Sequence, residues 1–103
     1  MDIEWIKERV EKNELIFTFH AEQERQNDNL SVADIKLALG KGKIIEQYPE
    51  DKRGESCLVL GYSANNGPIH SVCGKNTDGW LLLITVYVPT KPKWKTPEKR
   101  AEK

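Results

Sequence analysis

Hydrophobic residues recur at helical spacing over the first 40 positions of the chain. The first such stretch, residues 2–12, opens with the N-cap side chain of Asp2 and places its apolar side chains on one helical face. Thr18 can cap a second, shorter helix that runs to about position 27. Ser31 begins the third and most regular helix, because it stands at capping-box spacing to Asp34 and a glycine ends the apolar period. The pattern therefore predicts three N-terminal helices, the second of them short.

The hydrophobic period changes from helical to extended at position 43. Four strands are predicted from there, over residues 43–48, 57–63, 69–74 and 80–88. Their turns are marked by Pro49, by Gly67-Pro68 and by Asp78-Gly79, and the last strand is apolar on both faces, which favours a central position. The short apolar stretch 15–17 is interpreted as a link. We expect an α+β fold, with two to three N-terminal helices packed on a four-stranded antiparallel sheet.

The length of 103 residues is enough for one modest core, so residues 1–89 are predicted to form a single domain. Residues 90–103 form a basic, Pro/Lys-rich C-terminal tail. The formal net charge is zero, but six Lys or Arg stand against two Glu after Pro89, and the preceding residues carry ten basic against fourteen acidic side chains. Such a tail can bind a polyanion, or it can be a solvated, partly disordered end.

Targeting and metal-binding signals are weak throughout the chain. It has no apolar run of about 20 residues and no basic, apolar leader at its N-terminus, so we expect a cytoplasmic protein without membrane contact. Cys57 and Cys73 are expected to be free thiols, with a disulfide as the alternative. A zinc site with the two histidines is disfavoured, because His70 and Cys73 should point to opposite faces of their strand. We predict neither a metal nor a cofactor.

The two histidines are the candidates for acid–base chemistry. His20 lies in the first turn of the second predicted helix, where free N–H groups and the helix dipole attract a phosphate, although it can equally pack on its neighbours. His70 lies on the third predicted strand and can face Tyr87 if the strand register brings them together. Arg25 has the geometry to bind a phosphate, but it stands about 140° round the helix from His20, and an acidic neighbour is the simpler partner.

Several other residues are candidates for RNA contacts. If the strand register brings His70 beside Thr85 or Tyr87, a strip of polar side chains runs across the sheet, and Tyr48 can belong to it. Lys52 and Arg53 follow Tyr48 in a turn whose acidic neighbours largely cancel their charge. Trp94 stands between two lysines, a pattern typical of stacking on a base beside a phosphate. The alternatives are a buried hydrogen-bonded network for the strip and an anchor on the domain for Trp94.

An ordered set of short motifs resembles the domain of unknown function 4258 family. The resemblance covers residues 16–94. Its motifs are Phe17-Thr18-Phe19-His20-Ala21 followed by Arg25 and Ser31, Ile44-Ile45-Glu46-Gln47-Tyr48-Pro49 with Asp51, Cys57-Leu58-Val59-Leu60-Gly61, Pro68-Ile69-His70-Ser71-Val72, and Ile84-Thr85-Val86-Tyr87-Val88-Pro89 with Trp94. The leading helix and the chain beyond Trp94 lie outside this region.

The resemblance implies a distant relationship to RelE/ParE-like and BrnT-like toxins, which have a compact α+β fold. Many of these toxins cleave RNA without metal, by attack of the ribose 2′-OH on its own phosphate. The matching polar positions are His20, Arg25, His70 and Tyr87. Family members are often encoded beside a zinc-finger antitoxin-like protein, which implies a cognate antitoxin as partner.

Two functional hypotheses follow. The first is the toxin of a toxin–antitoxin pair, a metal-independent endoribonuclease that uses the two histidines, Arg25 and Tyr87. The second is a non-catalytic protein-binding or regulatory module, such as a phage or mobile-element accessory protein. The acidic body supports the second hypothesis and argues against a ribosome-bound mode, because nucleic-acid-binding domains usually present a basic surface.

Overall fold

Three helices form where the capping residues predict them. The computed structural model describes residues 1–101, so Glu102 and Lys103 of the predicted tail lie outside the described residues. The helices are α1 (Ile3–Glu11), α2 (Phe19–Asn27) and α3 (Val32–Gly40). The side chains of Asp2, Thr18 and Ser31 each accept a hydrogen bond from a first-turn backbone N–H. These three local bonds fix where each helix starts.

Within residues 1–101, seven strands form two separate sheets. They are β1 (Leu15–Phe17), β2 (Lys43–Tyr48), β3 (Ser56–Tyr62), β4 (Pro68–Lys75), β5 (Leu81–Tyr87), β6 (Trp94–Thr96) and β7 (Lys99–Arg100). The main sheet has the order β1-β5-β4-β3-β2, and β6 pairs with β7 in a second, two-stranded sheet that we call the C-terminal ribbon. The architecture is therefore α+β, as the sequence predicts.

The expected four-stranded antiparallel sheet is wrong in one respect, because the main sheet has five strands and is mixed. The stretch interpreted as a link is β1, and it pairs in parallel with β5, with Leu15 opposite Leu81. Three residues are too few to show an alternating pattern, and the partner strand lies near the other end of the sequence. The four predicted strands form an antiparallel meander within this larger sheet.

All three helices pack on one face of the main sheet. Ile6, Ile35 and Leu39 are fully buried there against the inward side chains of β3, β4 and β5. Helix α3 approaches β3 so closely that a Cβ atom at Gly61 would lie 2.0 Å from the Ala38 carbonyl oxygen. A glycine is required at this position, because any side chain would push α3 off the sheet.

Both cysteines belong to this core. Cys57 and Cys73 face each other across β3 and β4 as free, fully buried thiols. Burial raises the pKa of Cys57 to about 11, and it raises the pKa of Cys73 as well. A buried thiol of this kind stays protonated at neutral pH and is a poor nucleophile.

The C-terminal ribbon packs on the opposite face of the main sheet. Trp94 is its buried side chain, with 3% of its surface exposed. Beneath it lies a set of polar residues that we call the polar strip, namely Glu46, Tyr48, His70 and Tyr87. The segment predicted as a tail thus contributes a packed element up to Arg100, which positions the site described next.

Candidate functional site

Thr18 fixes helix α2 against strand β5. Its backbone N–H donates to the Leu83 carbonyl at 3.0 Å, which ends the parallel pairing of β1 with β5. Its hydroxyl donates to the Ile84 carbonyl at 3.0 Å and accepts from the N–H of Ala21. One residue therefore ends a strand, caps a helix and joins both to β5.

The carboxylates of Glu24 in α2 and of Asp28, the C-cap residue of this helix, cover the part of the β5 edge that β1 does not reach. Glu24 accepts a hydrogen bond from the Val86 N–H at 3.1 Å, and Asp28 accepts one from the Val88 N–H at 3.0 Å. The two acidic residues are four positions apart and share a helix face. They replace a neighbouring strand, so the edge N–H groups are satisfied and the helix is held in place.

His20 is the accessible histidine, with 66% of its side chain exposed. Its Nε2 lies 3.2 Å from Oε1 of Glu24, the same oxygen that accepts from Val86. The carboxylate favours a proton on Nε2, which leaves Nδ1 as the free ring nitrogen. The helix spacing of four residues, together with the bond from Glu24 to β5, gives this imidazole a defined position.

A cleft of about 240 Å³ lies between α2, the end of β5 and the C-terminal ribbon. Glu24 lines its helix side, Thr85 and Tyr87 line its floor, and Lys93 and Trp94 line the ribbon side. Because His20 contacts Glu24, its imidazole stands beside this cleft. Hydroxyl groups, a carboxylate and an exposed lysine thus line one cleft large enough for a phosphate and part of a ribose, and His20 contacts that carboxylate.

His70, by contrast, is fully buried beneath the ribbon. Its Nε2 lies 2.6 Å from the Pro97 carbonyl oxygen, so Nε2 carries the proton and donates it. In the neutral ring Nδ1 then accepts from the Tyr87 hydroxyl at 3.1 Å. Both ring nitrogens are therefore occupied, and the predicted pairing of His70 with Tyr87 is present in the β4–β5 register.

Burial decides the ionisation of this pair. It lowers the pKa of His70, while the bond to the Pro97 carbonyl acts in the opposite direction. Burial also raises the pKa of Tyr87. At neutral pH we therefore expect an uncharged imidazole and an uncharged phenol, which suits a fixed hydrogen-bonded pair.

The ribbon is fastened to the polar strip by an indole and a guanidinium. The Trp94 ring meets the His70 ring edge-on, with centroids 4.3 Å apart, and its Nε1 has no hydrogen-bond partner among residues 1–101. Arg100 donates two hydrogen bonds to the Glu46 carboxylate, at 2.8 and 2.9 Å, and stacks on Trp94 at 4.7 Å. The pair with Arg100 lowers the pKa of Glu46.

Tyr48 completes the strip, and its hydroxyl donates to Glu46. Burial, followed by this hydrogen bond, raises the pKa of Tyr48 to about 12. The phenol is therefore neutral. Its position beneath the ribbon, next to the Glu46–Arg100 pair, gives it a part in holding the strip together.

Arg25 is not among the residues that line the cleft, and its hydrogen bonds are to its own helix and to the residues that follow it. Its guanidinium donates to both carboxylate oxygens of Glu22, at 2.8 and 2.5 Å, and to the Leu30 carbonyl at 3.0 Å. The pair with Arg25 lowers the pKa of Glu22 to about 2. Arg25 thereby ties the end of α2 to the connection that leads into α3, as its acidic neighbour predicts.

Lys52 and Arg53 lie in the turn between β2 and β3. In the pairing of β3 with β4, Leu60 lies opposite His70 and Cys57 lies opposite Cys73. Because the turn precedes Cys57, it is separated from His70 by more than three residues of strand, about 10 Å. Arg53 is paired with Asp51 at 3.2 Å. The structure therefore does not bring these two basic residues to the cleft.

Sequence reasoning did not select Glu24, Glu46, Lys93 or Arg100 as site residues. The spacing of His20 and Glu24 at i and i+4 was a usable signal, because such pairs meet on a helix surface. The contact of Arg100 with Glu46 has no local signal, since the two residues are 54 positions apart.

Comparisons with known proteins agree with the motif pattern. No helix among residues 1–101 is long and apolar enough to cross a membrane. Neither the curated proteins nor the solved structures gave a match. The family model described as "Domain of unknown function (DUF4258)" matches residues 17–88, which span the chain from the end of β1 to the residue after β5. The chain therefore belongs to the domain of unknown function 4258 family.

Proposed function

We propose that this protein is a metal-independent endoribonuclease whose site is the cleft between α2 and the C-terminal ribbon. The observation that carries the proposal is the exposed His20 imidazole, held by Glu24 beside a cleft that Lys93, Thr85 and Thr90 line. A general base, a cation for the phosphate and hydroxyl donors are the groups that 2′-OH transesterification needs.

In the proposed reaction, Nδ1 of His20 removes the proton from the ribose 2′-OH. The 2′ oxygen attacks the adjacent phosphorus, the bond to the 5′ oxygen breaks, and the leaving oxygen takes a proton from water at the open side of the cleft. The hydroxide that remains then takes the proton from His20, which restores the neutral base. The products are a 2′,3′-cyclic phosphate and a 5′-hydroxyl end. Lys93 offsets the charge on the phosphate, and Glu24 orients the imidazole and compensates the positive charge that forms.

The other predicted site residues take supporting roles in this proposal. His70 fixes the Tyr87 hydroxyl at the cleft floor, since its own nitrogens are occupied. Trp94 forms part of the cleft wall and Tyr48 supports the strip below the ribbon. Arg25 holds the end of α2.

We propose further that the fold is RelE-like and that the enzyme is the toxin of a toxin–antitoxin pair, restrained by a cognate antitoxin protein. The support is the α+β order of elements and the family membership. RNA and the antitoxin are then its two partners, and the cytoplasm is its place of action.

A purified-protein assay tests the enzymatic proposal. Wild-type protein is incubated with end-labelled RNA in the presence of EDTA, and the new ends are analysed for 2′,3′-cyclic phosphate. His20→Ala should reduce the rate by about 10²–10⁴-fold, the usual contribution of one acid–base group. Gln23→Ala, an exposed change on the same helix, is the matched control and should cleave normally.

A non-catalytic protein-binding or regulatory module is the second candidate. It is favoured by the internal satisfaction of His70 and Arg25, which makes two of the four predicted catalytic residues structural. Wild-type protein that cleaves neither free nor ribosome-bound RNA supports this candidate, whereas His20→Ala protein that cleaves at the wild-type rate contradicts only the role of His20 as the base.

A further inference from the structure

The C-terminal ribbon sits on the main sheet as a bound peptide would. Among residues 1–101, no backbone–backbone hydrogen bond joins the ribbon to the main sheet, and the two sheets are separate. The ribbon is held instead by the Trp94 indole on His70, the Pro97 carbonyl on His70 Nε2, and the Arg100 guanidinium on Glu46. Lys43 and Glu98 add an exposed ion pair at its edge.

The covalent connection imposes little on this contact. Residues 88–93 join the end of β5 to the ribbon, and they contain Pro89 and Pro92. The backbone bond from Trp94 N–H to the Thr90 carbonyl and that from Ala101 N–H to the Lys93 carbonyl both stay within the C-terminal segment. The segment therefore folds on itself and meets the polar strip through side chains and one carbonyl.

Charge complementarity favours the same contact in trans. The segment after Pro89 has an excess of four positive charges, and the rest of the chain has an excess of four negative charges. Any second copy carries an identical basic segment with the indole and the guanidinium at the same spacing. Its segment fits the polar strip as well as the chain's own segment does.

We infer that the polar strip is an interaction surface for the C-terminal segment of a second copy, so that two chains can exchange residues 90–101. In the exchanged dimer each Glu46 binds the partner's Arg100, and each His70 contacts the partner's Trp94. The surface that the ribbon covers in one chain thus becomes a two-fold interface without any new kind of contact.

The covalent connection between β5 and the ribbon determines the conditions under which the exchange occurs. The short connection gives the chain's own ribbon an effective concentration of about millimolar, so the wild type should be monomeric at about 10 µM. Exchange becomes dominant when the intramolecular contact is made unfavourable and the intermolecular contact is kept favourable. A reversal of charge at the Glu46–Arg100 pair provides this condition.

The test uses two full-length single variants, Glu46→Arg and Arg100→Glu. Each variant alone places like charges together, both within its own chain and in a dimer with itself. A mixed dimer restores both pairs, because the strip of each variant then receives a ribbon of opposite charge from the other variant. We expect an equimolar mixture, unfolded and refolded together, to give a one-to-one heterodimer by native mass spectrometry and light scattering.

The double variant Glu46→Arg, Arg100→Glu is the matched control. It restores a complementary pair within one chain, so it should remain monomeric at the same concentration. A mixture of the single variants that stays monomeric and folded by circular dichroism overturns the inference. If either single variant fails to fold alone, co-refolding decides the matter in the same way, since recovery of folded heterodimer supports exchange and continued aggregation of both chains contradicts it.

Discussion

Removal of the Trp94 side chain should detach the ribbon and expose His70. An aromatic side chain of this size buries about 150–250 Å² on folding. At about 25 cal/mol per Å² this corresponds to about 4–6 kcal/mol, an upper value because the unfolded chain already buries some apolar surface. Large-to-small changes at buried aromatic residues cost about 3–5 kcal/mol. We therefore expect Trp94→Ala to lower the free energy of unfolding by about 3 kcal/mol.

Urea denaturation gives the loss of stability, and an NMR titration of the His70 ring gives its local consequence. With the ribbon detached, the cause of the lowered pKa is removed, so the pKa of His70 should rise toward its usual value of 6.5. Trp94→Phe is the control, because it keeps an aromatic ring on His70 and removes the buried Nε1. A Trp94→Ala loss below about 1 kcal/mol, with the His70 pKa unchanged, refutes the account of ribbon docking.

Three further predictions concern pH, Arg25 and Lys93. Burial lowers the pKa of His70 below 6.5, so the folded chain keeps the ring neutral, and stability should be full above about pH 6.5 and fall as the pH drops below it. His70→Gln should flatten the dependence of the melting temperature on pH between about 7.5 and 5.5. The other charged or titratable groups near the ring are Glu46, Arg100, Lys93 and Tyr87. If the slope of melting temperature against pH is unchanged in His70→Gln, the assignment of this pH dependence to His70 is contradicted. Arg25→Ala should lower the melting temperature slightly and leave RNA cleavage unchanged, whereas a catalytic arginine would lose most of the rate. Lys93→Ala should weaken RNA binding and reduce the slope of log affinity against log salt by about 1, as measured by fluorescence anisotropy.

Local signals account for most of the predicted fold. Asp2, Thr18 and Ser31 indicate the helices because a capping bond involves only residues two or three positions away. The Asp78-Gly79 turn is equally local, with Gly79 at a φ of 78°. Strand β1 could not be predicted in this way, because its three residues gain their structure from a strand that lies far along the sequence.

The site was harder to predict for the same reason. The pairing of His70 with Tyr87 depends on the β4–β5 register, which the strand pattern allows but does not specify. Which histidine is accessible depends on the ribbon, and the ribbon depends on the contact of Arg100 with Glu46. Composition described the C-terminal segment correctly as basic, but the contact that folds it back is a tertiary one.

A map of RNA 5′ ends after brief induction in a bacterial host tests the central claim most directly, because it detects cleavage of free and ribosome-bound RNA alike. Wild-type protein should create new 5′-hydroxyl ends, and these should disappear with His20→Ala but persist with Arg25→Ala. Wild-type protein that accumulates in folded form and produces no new ends contradicts the proposed activity, and ends that persist in the His20→Ala strain contradict the assignment of His20 as its base.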